Sequence, residues 1–199
     1  MTAEELIAQI KDKDDKVRAA AWIKADEVGA PAVKPLASAM TDGDFEVARA
    51  AKRGLWKIIR RAGRPGADEE KKAVVKELIP LTKDGQAVPV RRETMWMVSE
   101  LAGDEAVAPV AAALTDKELR EDARMVLERL PGDKSLAALK AGFEAAPEEF
   151  KPNMAHSLRV RGVPVSGYPS ARMTANRKTT VEPLKEGEAP KQKRRAKAQ

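Results

Sequence analysis

The sequence predicts an all-α, right-handed α-solenoid of about five helix pairs over residues 1–162, followed by a basic, largely irregular tail over residues 163–199. Three observations lead to this fold class. A 13-residue phrase occurs five times, a shorter helical pattern precedes each copy, and the chain combines 43% apolar residues with only 4% aromatic residues. Because alanine dominates the apolar set, the composition suits closely packed helices better than a β-sandwich or barrel.

The repeated phrase predicts the longer helix of each pair. Its first, fifth, ninth and twelfth positions are mostly apolar or small, and at about 100° per residue they fall on one arc of a helix. The copies start 30, 43, 29 and 31 residues apart. Such a period is typical of solenoids, in which each unit buries its apolar face only against its neighbours. The five copies occupy residues 17–29, 47–59, 90–102, 119–131 and 150–162.

A second, shorter helix is predicted before each copy of the phrase. The apolar residues that indicate these helices lie within 6–10, 33–40, 74–81, 107–114 and 136–143. Asp14, Asp44 and Asp116 each lie three residues before a copy of the phrase. At that position an aspartate can accept hydrogen bonds from the free N–H groups at the start of a helix. The repeating unit is therefore helix, turn, helix.

The 43-residue spacing between the second and third copies is the one departure from this rhythm. The additional residues lie near 60–72, where glycine, proline and mixed charges predict an exposed loop and extra turns of the third unit's first helix. Two interpretations of this insertion stay open. Loops of a solenoid often contact partners, but a surface insertion is also tolerated at little cost in loop-closure entropy.

Composition excludes several classes of function. The chain has no cysteine, which excludes disulfides and thiol catalysis and favours a reducing, cytoplasmic location. It has no apolar run of membrane-spanning length, and no signal peptide is visible after Met1. His156 is the only histidine, so neither a histidine-based triad nor a multi-histidine metal site is expected. We therefore expect no enzyme activity, no cofactor, no metal, no small-molecule substrate and no membrane partner.

The phrase V-R-x-x-A-A-…-L-…-G, with an aspartate before it, resembles the HEAT repeat family, and in particular the short HEAT-like repeats of the phycobilisome-lyase type. The resemblance covers residues 3–162, because five units agree in phase. It implies a scaffold for protein or nucleic-acid partners. It also implies a ladder of aspartate–arginine pairs along the stack, to which Asp14 with Arg18 and Asp116 with Arg120 correspond.

Three tryptophans lie within the phrases but away from the predicted core face. Trp22, Trp56 and Trp96 lie roughly 105° to 155° from the centre of the buried arc. In a HEAT-type stack the second helices line the concave side, so we expect Trp56 and Trp96 to point into the groove as anchors for a partner. The alternative is that these rings cover the insertion or a neighbouring helix, where tryptophan is commonly half-buried.

Arginines in the phrases predict a basic strip along the same side of the solenoid, suited to carboxylate or phosphate. Arg91 and Arg92 have few acidic neighbours along the chain, so we predict that they contact the partner together with Trp56 and Trp96. The alternative for the strip is the aspartate–arginine ladder with salt bridges to interleaved acids. The strip comprises Arg18, Arg49, Arg91, Arg92, Arg120 and Arg124.

The tail carries the whole excess of positive charge. Residues 163–199 contain nine Lys or Arg and three acids, whereas residues 1–162 contain 28 of each sign, so the net charge of +6 belongs to the tail. A polycation of this kind can bind phosphates with salt-sensitive affinity, and it can also be a solubilising terminus. Residues 163–168 are expected to pack on the last unit as a cap. The candidate nucleic-acid contacts are Arg172, Arg177, Lys178, Lys191, Lys193, Arg194, Arg195 and Lys197.

Two functions follow from these residues. The first is a non-catalytic scaffold or adaptor whose concave face binds a protein partner. The alternative is a protein associated with RNA or ribonucleoprotein, in which the tail supplies the phosphate contacts and the solenoid supplies the shape. An enzyme ranks third.

Overall fold

The computed structural model describes residues 1–169, which form one compact unit of ten α-helices. Short 3-10 turns extend or connect several of these helices. Taken in chain order, the helices form five consecutive pairs, as the sequence predicts. The pairs are α1 (Ala3–Ile10) with α2 (Asp15–Ile23), α3 (Val33–Ala39) with α4 (Phe45–Ala62), α5 (Asp68–Leu78) with α6 (Val88–Leu101), α7 (Val107–Ala112) with α8 (Arg120–Arg129), and α9 (Asp133–Ala145) with α10 (Lys151–Val160).

The pairs stack in sequence order. Each second helix contacts the second helix of the next pair, which gives the series α2, α4, α6, α8 and α10. The first helices form the other layer, in which α1 contacts α3, α3 contacts α5 and α7 contacts α9. The 3-10 turn Ile79–Thr82, which follows α5, contacts α7. The described residues therefore form an all-α solenoid of five units, and the predicted fold class is confirmed.

The core lies where the phrase predicts it. The residues at the ninth position of the five phrases are all buried, and at the first position every residue except Val17 is buried. Alanines and leucines from both layers complete one continuous apolar cluster. The ninth-position residues are Ala25, Leu55, Val98, Leu127 and Leu158.

Two of the three predicted N-caps are confirmed. Asp14 accepts a hydrogen bond from the backbone N–H of Lys16 at 2.8 Å, and Asp44 accepts one from the N–H of Glu46 at 2.8 Å. The prediction for Asp116 is wrong in detail, because α8 begins later, at Arg120. Asp116 instead accepts a hydrogen bond within the turn that precedes the helix, from the N–H of residue 118 at 2.9 Å.

The insertion lengthens two helices. The helix α4 has 18 residues, and a short exposed stretch from residue 63 to residue 66 separates it from α5, which has 11 residues. Among the other first helices, α1, α3 and α7 have only 8, 7 and 6 residues, whereas α9 has 13. The extra turns predicted for the third unit's first helix are therefore present, and α4 has gained length as well.

The end of the described chain packs on the last pair, as the sequence predicts. The ring of Tyr168 meets the ring of Phe143 edge-on, with centroids 5.5 Å apart, and the backbone carbonyl of Tyr168 accepts a hydrogen bond from Arg159 at 2.8 Å. Arg161 donates to the carbonyls of Leu130 and of residue 132, at 2.8 and 2.9 Å, and so caps the end of α8. The predicted domain boundary at residue 162 stays a prediction.

Candidate partner-binding groove

One large groove runs along α4 on the side of the second helices. Its volume is about 1010 Å³. Seven residues of α4 form its floor, while α2, Met40 and α6 form its sides. We call this surface the α4 groove. It is lined by Trp22, Met40, Phe45, Ala48, Arg49, Lys52, Arg53, Trp56, Arg60, Pro89 and Glu93.

The amphipathic pattern of α4 positions the groove. Leu55 and Ile58 are buried on the core side of the helix. Gly54 lets α4 approach the first unit closely, since a Cβ at this position would lie 3.2 Å from the Cβ of Ala25. The opposite side of α4 carries the cationic residues of the groove. The helix therefore presents its basic side to solvent because its apolar side is fixed in the core.

Three aromatic rings in the groove each lie beneath an arginine. The Cζ atom of Arg53 lies 5.4 Å from the ring centroid of Trp22, which belongs to the neighbouring helix α2. Arg49 and Arg60 lie 5.9 Å from the rings of Phe45 and Trp56 respectively, within α4 itself. Such guanidinium–ring contacts stabilise the arginine side chains over the aromatic faces. The groove thus combines aromatic rings with guanidinium groups that lie over them.

The groove has an excess of positive charge. Four cations and one acid, Glu93, line it. Lys52 forms an ion pair with Glu93 at 2.6 Å, and Arg49 forms one with Glu46. Within residues 1–169, neither Arg53 nor Arg60 forms an ion pair or a hydrogen bond, and both side chains are exposed. Two guanidinium groups in the groove therefore have their N–H donors available.

The structure places one of the two predicted tryptophan anchors in this groove. Trp56 is half-buried, packs against the core and donates its indole N–H to Glu93 at 2.5 Å. Trp96 is also half-buried, but it is not part of the groove lining. Its indole N–H donates to Asp122 of α8 at 3.1 Å. Trp22 lines the groove instead, so the pair that the structure brings together is Trp22 and Trp56.

The expectation that Arg91 and Arg92 lie near few acids is wrong. Arg91 is 8% exposed and forms ion pairs with Asp84 at 2.7 Å and Asp116 at 3.0 Å. Arg92 pairs with Asp122 at 2.9 Å, and this hydrogen bond raises the pKa of Arg92. The acids come from the next unit or from the preceding loop. A partner contact by Arg91, Arg92 or Trp96 stays a prediction.

The aspartate–arginine ladder differs from the predicted pairs. Arg18 pairs with Asp15 and with the carbonyl of residue 12, because the carboxylate of Asp14 caps α2. Arg120 pairs with Glu149 at 3.4 Å. Asp116 accepts a hydrogen bond from Arg91 of the preceding unit, so this pair links two successive units.

Sequence reasoning missed the two groove arginines whose N–H donors are available to a partner. Arg53 and Arg60 are seven positions apart on α4, with Trp56 between them. That spacing puts all three on neighbouring parts of one helix face. The spacing was a usable signal, but the contact of Arg53 with Trp22 depends on how α2 packs against α4. The predicted tail contacts, from Arg172 to Lys197, lie outside the described residues.

No protein-family model matches the chain, and no curated protein matches it. Several solved structures, designed armadillo repeat proteins among them, are similar to it. A designed armadillo repeat protein in complex with the peptide (KR)4 has 18% identity and a TM-score of 0.42, with 78% of this chain and 80% of that chain covered. A computationally designed armadillo repeat protein for modular peptide recognition has 17% identity, the same coverage and a TM-score of 0.42. An engineered protein from a structural genomics consortium has 22% identity, covers 79% and 78%, and has a TM-score of 0.41.

Within residues 1–169 no group of three or more His, Cys, Asp or Glu side chains is arranged to bind a metal ion. His156 is exposed on α10. None of the helices in this part of the chain is long and apolar enough to cross a membrane.

Replacing Arg91 with alanine is expected to lower the free energy of unfolding by about 2 kcal/mol, because it removes a buried guanidinium group together with its two ion pairs and one backbone hydrogen bond. The backbone acceptor is the carbonyl of Thr82, at 3.3 Å. Urea denaturation measures the change, and Arg91→Lys should recover only part of it, since an ammonium group lacks the fork geometry. Unchanged stability with weaker partner binding would instead support the predicted partner contact.

Proposed function

We propose that this chain is a non-catalytic scaffold that binds a protein partner in the α4 groove, on the second-helix face of a short HEAT-like solenoid. The groove itself carries this proposal. It combines three aromatic rings with cations whose donors are available. Aromatic and arginine side chains are the residues that most often dominate protein interfaces. The proposal makes Trp56 the central anchor, with Trp22 beside it.

The proposal has three further parts that rest on the sequence. The unit is assigned to the short HEAT-like type on its phrase and period. The chain is placed in the cytoplasm, because it contains no cysteine and such a composition fits a reducing compartment. No catalytic role is assigned, since the groove offers aromatic and cationic side chains for binding and its lining acid, Glu93, is already paired.

Trp56→Ala is expected to weaken partner binding about 30-fold, which corresponds to about 2 kcal/mol for a central aromatic anchor. The measurement is affinity capture from native lysate by the full-length chain, with quantitative mass spectrometry of the captured proteins, followed by titration of the identified partner. Ile23→Ala is the control, because Ile23 is 49% exposed and is not part of the groove lining. Equal capture by Trp56→Ala and by the unmodified chain would contradict the proposal.

The alternative function is association with RNA or ribonucleoprotein through the tail. The observation that favours it is the concentration of the net charge of +6 within residues 163–199. In this case captured proteins should disappear after nuclease treatment, and binding should fall steeply with salt because counterions are released. Replacing the five basic residues of positions 191–197 by glutamine should then abolish binding, whereas Trp56→Ala should leave it unchanged.

A further inference from the structure

We infer that the α4 groove binds an extended, acidic segment of the partner protein, in which carboxylates alternate with apolar side chains. This inference rests on the proposed function and specifies the chemistry of the occupant. The four cations that line the groove outnumber its one lining acid, Glu93, by three. Since Glu93 is already paired with Lys52 and with Trp56, it adds no free carboxylate to satisfy the arginines.

The available guanidinium groups have a definite spacing. Arg53 and Arg60 lie two turns apart on α4, so they share one face and are separated by roughly 10 Å along the helix axis. A peptide in the extended polyproline II conformation advances about 3.1 Å per residue and returns its side chains to the same face every third residue, so carboxylates three residues apart would match this distance. The floor of the groove from Phe45 to Arg60 is about 22 Å long at the rise of an α-helix, enough for roughly seven extended residues.

The contact with the rings leaves the N–H groups of the two arginines available for carboxylates. A cation–ring contact uses the positive charge of the guanidinium group and does not occupy its N–H donors with an acceptor. Carboxylates can accept two parallel hydrogen bonds from these donors. Trp22 lies beneath Arg53 and Trp56 lies beneath Arg60, so each donor group has a fixed ring under it.

Apolar surface in the same groove accounts for the alternation. Phe45 is 72% exposed, and Met40 and Pro89 line the sides of the groove next to α4. An exposed ring of this size is covered favourably by an apolar side chain, at roughly 25 cal/mol per Å² of buried apolar area. A purely polyanionic ligand would leave these residues in water. Trp56 lies between the two arginines, whereas Phe45 lies eight residues before Arg53, about 12 Å along α4. The expected pattern is therefore two acidic residues three positions apart, with an apolar residue between them over Trp56 and a further apolar residue about four positions away over Phe45.

Charge also decides between possible occupants. The chain's own tail is unsuitable, because residues 163–199 have a net charge of +6 and would be repelled by the arginines. A nucleic acid presents a phosphate at every nucleotide, whereas the groove offers two available guanidinium groups and apolar walls between and beside them. The occupant that fits both features is a peptide segment with spaced carboxylates.

The test is selection of a random peptide display library on the full-length chain, followed by fluorescence anisotropy with the enriched peptides. We expect enrichment of Asp and Glu at a spacing of three residues with an aromatic or aliphatic residue between them. The variant Arg53→Glu with Arg60→Glu should weaken these peptides about 100-fold, at roughly tenfold for each charge-assisted pair. Enrichment of basic or uncharged peptides that still depend on Trp56 would overturn the inference and leave the proposed function standing.

Two controls separate the groove from unspecific attraction. The variant Lys71→Glu with Lys76→Glu changes the same number of charges on α5, where both lysines are exposed and neither forms an ion pair within residues 1–169. It should retain the affinity within about twofold, as expected for charges outside the contact. Glutamine at the basic residues of positions 191–197 should also retain it. If the glutamine variant of the tail loses affinity for the acidic peptides and the Arg53→Glu, Arg60→Glu variant does not, the peptides bind the tail and the inference is overturned. If none of the enriched peptides loses affinity in Trp56→Ala, the proposed function is contradicted as well.

Discussion

Replacing Leu55 with alanine is expected to lower the free energy of unfolding by about 3 kcal/mol, because the change removes three buried carbons and leaves a cavity. Leu55 is fully buried on α4, directly behind the groove. It occupies the ninth position of the second phrase. Its helix, α4, contacts α2 of the first unit and α6 of the third unit. Urea denaturation monitored by circular dichroism measures the change.

The matched control for Leu55→Ala is Ile23→Ala. Ile23 lies at the end of α2 and is exposed, so truncation should cost less than about 0.5 kcal/mol. In a repeat array the loss of one inter-unit contact can also separate the unfolding of the units. Hydrogen exchange should therefore show the greatest loss of protection in α2 and α4. An equal effect of the two substitutions would contradict the core position of Leu55.

The core of this solenoid follows from local sequence, because the period of a helix decides which residues face the neighbouring units. All five ninth-position residues are buried for this reason, from Ala25 to Leu158. The cap at Asp44 is local in the same sense, since the side chain needs only the N–H groups two and three residues ahead. Asp116 differs because the backbone turns once more before α8 begins.

The pairing of the charged residues could not be predicted in the same way. Arg91 has few acids beside it on its own helix, yet Asp116 reaches it from 25 residues away in the next unit. Trp96 likewise finds Asp122 at a separation of 26 residues. Such pairs depend on the offset between stacked helices, and a difference of one turn changes the partner. Sequence periodicity gives the face of a residue but not this offset.

The position of the groove depends on the departures from the repeat. The helix α4 is longer than any other helix among the described residues, with 18 residues. Its additional turns extend its cationic side past Trp56 to Arg60. In α6, by contrast, Arg92 pairs with Asp122 of the next unit, and in α8 Arg129 pairs with Glu100 of the preceding unit. The second unit is therefore where guanidinium groups remain available for a partner.

Replacing Arg124 with alanine is expected to lower the free energy of unfolding at neutral pH by about 3 kcal/mol, because removal of this buried cation leaves the carboxylates and the hydroxyl that it contacts without their partner. Arg124 is 7% exposed and donates two hydrogen bonds to Glu121, at 2.9 and 2.6 Å. It also donates to Glu128 at 3.1 Å and to Ser157 of α10. This network joins the last two units, so its loss should loosen α10 first. The control is Arg49→Ala, whose pair with Glu46 is exposed on both sides and should contribute less than about 0.5 kcal/mol.

The effect of Arg124→Ala should also depend on pH. The hydrogen bond from Arg124 lowers the pKa of Glu121 below its ordinary value of 4.5, against the opposing effect of burial, and Asn153 adds a further hydrogen bond. A carboxyl whose pKa is lowered by folding stabilises the folded state above its unfolded pKa, and this contribution is lost as the pH falls through the folded pKa. The difference in stability between the unmodified chain and Arg124→Ala should therefore be constant near neutral pH and should decrease below about pH 4.5. Urea denaturation across that range measures it. A difference that stays constant down to pH 3 would show that the Glu121 pair contributes nothing and that the loss comes from packing alone.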